Sequence, residues 1–121
     1  MNPRRAWLPL LLAVAAAWGG AQALQAWQTQ RLGRTVSEAA RPGDIAMISS
    51  QTCVFCGEAR RWFEANGVAF DECVIERDAA CADAYRALQA PGTPVLVVRG
   101  QRMVGFDPRR IAAALRVAAP G

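Results

Sequence analysis

At 121 residues the chain has room for one domain, and it contains no histidine, which excludes a Cys-His dyad, a Ser-His-acid triad and a His-ligated metal site. Catalysis must therefore use thiols, carboxylates or backbone dipoles. The net charge of +4 belongs entirely to residues 1–41, and the nine arginines and nine acids that follow give no support to nucleic-acid binding.

The first predicted element is an apolar helix at the N-terminus. Between Ala6 and Leu24 the only polar residue is Gln22, and the run approaches the length needed to cross a hydrocarbon core of about 30 Å. This predicts a membrane anchor over residues 1–24. A cleaved signal peptide is the alternative, because Ala21-Gln22-Ala23 is a small-x-small cleavage site. A buried core helix is the third interpretation.

Residues 25–43 are predicted to be a linker, since they are polar, contain arginine and close on the turn signal Arg41-Pro42-Gly43. The folded domain then covers residues 44–121. Both main interpretations of the N-terminal segment bring this domain to a membrane. We therefore expect an exported, periplasmic domain that either stays attached through residues 6–24 or is released by cleavage.

Cys53 and Cys56 lie between a predicted strand and a predicted helix. The apolar run Ile45–Ile48 leads to the cysteines, and apolar residues including Trp62 and Phe63 follow at helical spacing. Cys53 would then stand at a helix N-terminus, where unpaired N–H groups and the helix dipole favour a thiolate. Cys56, one turn later, could resolve a mixed disulfide. This setting predicts redox chemistry rather than half of a zinc site.

The remaining residues complete a predicted βαβαββα order. The further elements are a strand at 68–75, a helix capped by Asp78, a buried β-branched strand at 95–98, a short strand at 102–104 and a last helix capped by Asp107. The alternation of strands and helices predicts an α/β fold.

This order, with Cys-x-x-Cys at the first strand–helix junction, resembles the thioredoxin-like sandwich of glutaredoxins and the related NrdH redoxins. The resemblance covers residues 44–118. Besides the cysteines, it is carried by Trp62-Phe63, by 66–70, by Thr93-Pro94 and by 105–109. It implies a thiol-disulfide oxidoreductase in which Cys53 attacks and Cys56 resolves.

The resemblance also implies a substrate-binding surface around Cys53. Its residues are Thr52, Phe55, Thr93, Pro94, Gly105, Phe106 and Asp107. A cis bond before Pro94 would leave the backbone groups of Thr93 free to pair with an extended substrate, and Phe55 is expected to face outward. The alternative is a trans Thr93–Pro94 bond that only begins a strand.

Three departures from glutaredoxins bear on the substrate. Val54 follows the first cysteine in place of proline, Ser50 replaces a lysine, and Pro108 replaces an acid. A glutathione carboxylate would lack its expected cation. We therefore predict action on protein disulfides, with an unidentified redox partner for recycling and no bound cofactor. The alternative is a glutathione-dependent glutaredoxin, with glutathione as co-substrate.

Cys73 and Cys81 lie outside the family pattern, and three roles fit them. A structural disulfide would stabilise the domain by roughly 2.5 kcal/mol and could persist after export. Two buried thiols or an accessory redox pair are the alternatives. The alternative to an oxidoreductase is a thiol-based metal-binding protein, with zinc bound by all four cysteines or copper bound by Cys53 and Cys56. The spacing is untypical of zinc sites, so no metal is predicted.

Overall fold

A computed structural model describes residues 3–117. The elements in chain order are α1 Pro3–Ala39, β1 Ile45–Ser49, α2 Val54–Ala65, β2 Asp71–Val74, α3 Ala79–Ala87, β3 Val95–Val98, β4 Gln101–Val104 and α4 Pro108–Val117. The predicted βαβαββα order after an N-terminal helix is confirmed. The chain divides after Arg31 into two compact units.

The four strands form one sheet in the order β2-β1-β3-β4. Strand β1 runs parallel to β2 and antiparallel to β3, and β4 is antiparallel to β3. Ile48 pairs with Val95, which in turn pairs with Val104. The end of β1, the start of β3 and the end of β4 therefore meet at one end of the sheet, and Cys53 follows β1 at this end.

Helices pack on both faces of the sheet, because successive strand residues point to opposite faces. The main core joins one face to α2, α4 and the end of α1, and its buried members include Val36, Ile45, Met47, Ala59, Phe63, Leu96, Ile111 and Leu115. Ile48 and Val95 belong to a smaller cluster with Cys81 of α3. Helix α3 thus covers the opposite face.

The segment predicted as a linker, residues 25–43, is instead helical as far as Ala39. Its last turns place Leu32, Val36 and Ala39 at i, i+4 and i+7, which is one helix face. Val36 is fully buried, and the other two pack against the main core. The polar residues that suggested a linker lie on the exposed face of an amphipathic helix end.

Arg99 links the C-terminal end of α1 to the rest of the domain by hydrogen bonds. Its guanidinium donates to the Ala39 carbonyl at 3.1 Å and the Leu115 carbonyl at 2.6 Å, so it caps the ends of α1 and α4. It also donates to an Asp44 carboxylate oxygen at 3.0 Å. The Arg41 backbone N–H and the Arg99 guanidinium hold the pKa of Asp44 below its ordinary value.

Strand β2 is shorter than the predicted strand at 68–75. Gly67 adopts a positive φ of 64° after α2, a conformation that suits glycine. The Val68 backbone N–H then donates to the Phe63 carbonyl at 2.9 Å, and Val68 is buried. These residues close the turn into the core, so β2 begins only at Asp71.

The N-terminal part of α1 carries large apolar side chains that are exposed. These are Trp7, Leu8, Leu10, Leu11, Leu12, Val14, Trp18, Leu24 and Trp27. By length and composition this helix could cross a membrane, and a signal sequence would meet the same criteria. The third interpretation, a buried core helix, is wrong for the described residues, since the apolar window has no buried share.

Candidate active site

Cys53 is the N-cap of α2, as predicted. Its backbone is extended, with φ −90° and ψ 108°, and its Sγ accepts the Cys56 backbone N–H at 3.1 Å. That N–H is one of the donors that the first turn of a helix leaves without a backbone partner. After reduction, the same N–H and the positive end of the helix would stabilise a Cys53 thiolate.

The two cysteines differ in accessibility, although a disulfide joins them in this structure. Cys53 is partly exposed, whereas Cys56 is fully buried. A substrate sulfur can therefore approach Cys53 from solvent, while the Sγ of Cys56 reaches the Sγ of Cys53, to which it is bonded in this structure. This asymmetry fits the attacking and resolving roles assigned to them.

The Thr93–Pro94 peptide bond is cis, so the trans alternative is wrong. Pro94 is buried directly before β3, and its carbonyl accepts the Gly105 backbone N–H at 2.8 Å. This bond joins the start of β3 to the turn after β4. Thr93, Pro94 and Gly105 thus lie at the end of the sheet from which Cys53 emerges.

The other predicted substrate-binding residues divide into exposed and packed groups. Phe55 is 62% exposed and Val54 73%, which leaves an apolar surface beside Cys53, and Thr52 is also exposed. Phe106 is different, because its ring packs edge-on against Trp62 and Phe63 with centroids 5.7 Å apart in both pairs. Its main contacts are with the core.

Asp107 caps the start of α4. Its carboxylate accepts the Arg109 backbone N–H at 3.0 Å, and the residue is exposed. Asp107 therefore has the capping role predicted from the sequence, and one of its carboxylate oxygens is engaged by this hydrogen bond.

A polar cleft of about 450 Å³ opens beside Cys53. The other residues that line it are Ser50, Gln51, Arg60, Glu72, Val74 and Arg77. Neither Glu72 nor Arg60 was among the site residues predicted from the sequence. No local pattern marks Glu72, which reaches this cleft because β2 pairs beside β1, with Met47 opposite Glu72.

Glu72 accepts hydrogen bonds from two other elements. Arg60 Nε donates to Oε1 at 2.8 Å, a second Arg60 nitrogen donates to Oε2 at 2.5 Å, and the buried Ser49 hydroxyl donates to Oε2 at 2.7 Å. The Arg60 hydrogen bonds are the main cause that lowers the pKa of Glu72, against the opposing effect of burial. The carboxylate therefore joins β1, α2 and β2 beneath the cleft.

Because folding lowers the pKa of Glu72, its contribution to stability is present above the unfolded value of about 4.3 and is lost as pH falls through the folded value. We expect Glu72→Gln to lower the free energy of unfolding by about 1 kcal/mol at pH 7, since Arg60 is partly solvent-screened. The difference from the unmodified protein should shrink at pH 3. Urea unfolding at both pH values measures it.

The exposed α2 residue Glu58 supplies the control for that comparison. Glu58→Gln removes the same charge from the surface and should change stability little at either pH. An equal loss from Glu72→Gln at pH 7 and pH 3 would contradict the ionic role of Glu72.

Ser50 donates a hydrogen bond to the Glu76 carboxylate, which also accepts the Gln51 backbone N–H at 3.2 Å. The Ser50 hydrogen bond is the main cause that lowers the pKa of Glu76. An ionised carboxylate thus stands beside the position at which glutaredoxins are expected to carry lysine. The missing lysine is evident from the sequence, whereas this acid is not.

Cys73 and Cys81 are joined by a disulfide that links β2 to the first turn of α3. Cys81 is buried and Cys73 is partly buried, within the smaller cluster. The four cysteines therefore form two separate pairs rather than one tetrad. Across residues 3–117, no group of three or more Cys, Asp or Glu side chains is arranged to hold a metal ion.

Comparison with known proteins agrees with this geometry. The glutaredoxin family model matches residues 45–103, which contain both active-site cysteines and the cis-proline. Residues 45–103 are therefore similar to glutaredoxins, and we refer to them as the glutaredoxin-like domain. With the Cys53–Cys56 pair at the N-terminus of α2, this domain is a thiol-disulfide oxidoreductase. No curated protein sequence matches the chain.

Solved structures resemble the glutaredoxin-like domain in its fold. The NrdH-redoxin of Escherichia coli is 25% identical with a TM-score of 0.51, and the match covers 64% of this chain and 96% of that one. A mutant of a thioredoxin-like protein is 22% identical with a TM-score of 0.55, covering 62% and 97%. A glutaredoxin of Methanosarcina mazei is 22% identical with a TM-score of 0.52, covering 60% and 78%.

Proposed function

We propose that the glutaredoxin-like domain exchanges disulfides with proteins through the Cys53–Cys56 dithiol. The Cys53 thiolate attacks one sulfur of a substrate disulfide, and the other substrate sulfur leaves as a thiolate that takes up a proton. Cys56 then loses its proton and attacks Cys53, which releases the second substrate thiol and leaves the Cys53–Cys56 disulfide. Two electrons pass to the substrate, and a dithiol partner restores the reduced pair. The same steps in reverse oxidise a substrate dithiol to a disulfide and reduce the Cys53–Cys56 disulfide.

The observation that carries this proposal is the Glu76 carboxylate held by Ser50. A glutathione carboxylate directed to this position would meet a negative charge instead of a lysine. The exposed Val54 and Phe55 favour a protein partner, because they offer apolar contact area beside Cys53. The NrdH-redoxin of Escherichia coli, which has a similar fold, is described as glutaredoxin-like with a thioredoxin-like activity profile.

Substrate binding in this proposal uses the surface around Cys53. Thr52 and Phe55 contact the substrate from the α2 side. Thr93 offers its backbone groups to an extended substrate segment, and Pro94 with Gly105 shapes the floor at that point. Phe106 supports this floor from the core. No resident cofactor or metal takes part.

Arg77 favours a second candidate, glutathione-dependent exchange. It lines the same cleft as Cys53 and could supply a cation for a glutathione carboxylate from the turn after β2. Glu76 lies next to it in the chain and opposes this effect. The two candidates therefore differ in whether a glutathione carboxylate is repelled by Glu76 or bound by Arg77.

Turnover of a protein disulfide and of a glutathione mixed disulfide separates the candidates. We expect the unmodified chain to prefer the protein disulfide, and Ser50→Lys to raise kcat/KM for the glutathione substrate about tenfold, since a new charged contact contributes roughly 1.4 kcal/mol. Efficient glutathione turnover that Arg77→Gln abolishes and Ser50→Lys leaves unchanged would favour the second candidate. Arg86→Gln, at an exposed arginine of α3, is the control.

We further propose that residues 6–24 anchor the domain to a membrane with the active site on the exported side. The exposed apolar side chains of α1 support anchoring, and the Cys73–Cys81 disulfide supports an oxidising compartment. The protein should stay in the membrane fraction during alkaline extraction, with its N-terminal residues retained. A mature N-terminus at Leu24 in a soluble fraction would show cleavage at Ala21-Gln22-Ala23 instead.

A further inference from the structure

The charges of the neutral domain are separated along the chain. Residues 42–94 carry eight acids and four arginines, whereas residues 95–117 carry five arginines and one acid, Asp107. Arg99 and Asp44 form a salt bridge between the two groups, but the edges of the sheet differ, because β2 with Asp71 and Glu72 forms one edge and β4 with Arg102 forms the other. The domain has no net charge, but it has an acidic side at β2 and a basic side at β4 and α4.

The basic side contains three exposed arginines that we call the arginine face, namely Arg102, Arg109 and Arg110. Arg102 of β4 and Arg110 of α4 line one surface cleft, whose apolar floor includes Met103 and Ala114. The strand and the helix thus each contribute an arginine to the lining of one surface cleft.

The arginine face is not neutralised by acids within residues 3–117. Arg60, Arg86 and Arg99 each form a salt bridge, and none is formed by the three arginines of the face. Arg102 donates only to a backbone carbonyl, that of Gln89, at 3.5 Å. The single acid of residues 95–117, Asp107, has one carboxylate oxygen engaged by the Arg109 backbone N–H.

Two of these arginines lie at the active-site end of the sheet. Val104 pairs with Val95, Val95 pairs with Ile48, and Cys53 follows β1 at that end. Helix α4 begins only four residues after Val104, so Arg109 and Arg110 occupy its first turn. A protein bound over Cys53 and Phe55 would extend toward them, and the positive end of α4 adds to their attraction for anions.

Resting on the proposed function, we propose that the arginine face selects protein partners whose disulfide is flanked by acidic side chains. Guanidinium groups bind carboxylates in bidentate geometry, which gives orientation as well as attraction. The apolar surface at Val54 and Phe55 contributes contact area, and the arginines set the approach and the choice of partner. Charge at such a position acts mainly on association and therefore on KM.

Two synthetic disulfide peptides test this on the full reduced chain in nanodiscs of neutral lipid. One carries three aspartates beside the disulfide, and the other carries asparagines at the same positions. We expect kcat/KM to be about tenfold higher for the acidic peptide at low salt, with kcat alike for both. The preference should fall to about twofold or less at 1 M salt, where the screening length is about 3 Å.

The double variant Arg109→Gln and Arg110→Gln should lose most of the preference for the acidic peptide and turn over the asparagine peptide normally. The control removes two exposed arginines elsewhere, Arg34→Gln and Arg86→Gln, and should keep the preference. An equal loss in the control would overturn the assignment to this face.

Other results would overturn the inference and leave the proposed function standing. Equal turnover of both peptides at low salt would do so. The face would belong to the membrane if anionic lipid in the nanodiscs abolished the preference and the double variant were insensitive to that lipid. Salt-sensitive self-association lost in the double variant would assign it to a second copy of the chain. Turnover of neither peptide would instead reject the proposed function.

Discussion

Replacing Cys53 with serine is expected to lower kcat/KM for disulfide exchange by more than about 10³-fold, because every turnover begins with attack by its thiolate. Cys56→Ser should behave differently. The attacking thiolate remains and the resolving thiol is lost, so mixed disulfides between Cys53 and substrate proteins should accumulate. Non-reducing gel electrophoresis after acid quenching, followed by mass spectrometry of the trapped species, measures both results.

The double variant Cys53→Ser and Cys56→Ser is the control for trapping, since it retains only the Cys73–Cys81 pair. It should trap nothing. If Cys53→Ser trapped more substrate than Cys56→Ser, the roles of the two cysteines would be reversed. That result would conflict with the partial exposure of Cys53 and the complete burial of Cys56.

Removal of the second disulfide, by Cys73→Ala with Cys81→Ala, is expected to destabilise the domain by about 2.5 kcal/mol. The cross-link closes a short loop between β2 and α3 and limits the unfolded chain. For a domain of this size the loss corresponds to a fall in Tm of about 10–20 °C. Thermal unfolding followed by circular dichroism, with the full chain in detergent, gives the measurement.

A comparison with reductant isolates the contribution of this bond. In the background of Cys53→Ser and Cys56→Ser, dithiothreitol should lower Tm by nearly as much as the alanine pair does. The alanine pair itself should be insensitive to dithiothreitol. An unchanged Tm in both experiments would remove the structural role of Cys73 and Cys81 and weaken the argument for export.

Features set by neighbouring residues were predictable from the sequence. The apolar run of β1, the cap position of Cys53 and the caps at Asp78 and Asp107 depend on contacts within a few residues, and the structure contains each of them. The cis-proline was also predicted, through the family resemblance rather than by any local rule. These local features, taken in order, were sufficient to indicate the fold class and the redox chemistry.

Features that depend on pairing between distant residues were not predictable in this way. Glu72 lies 23 residues from Ser49 in the chain and faces it only because β2 pairs with β1. The same pairing brings Glu76 to Ser50, which replaces an expected lysine with an acid. Alternation along a short strand indicates which residues share a face, and it carries no information about the neighbouring strand.

The order of the elements, the position of the attacking cysteine and the apolar N-terminal segment were predictable from the sequence, because each follows from local spacing and composition. Three further features depend on the packing of distant elements. Val36 is a core residue because the end of α1 packs on the main core. The polar cleft beside Cys53 is lined by residues of separate elements, including α2 and β2. Arginines of β4 and α4 line a second cleft. Each point requires side chains from separate elements to meet, and only packing brings them together.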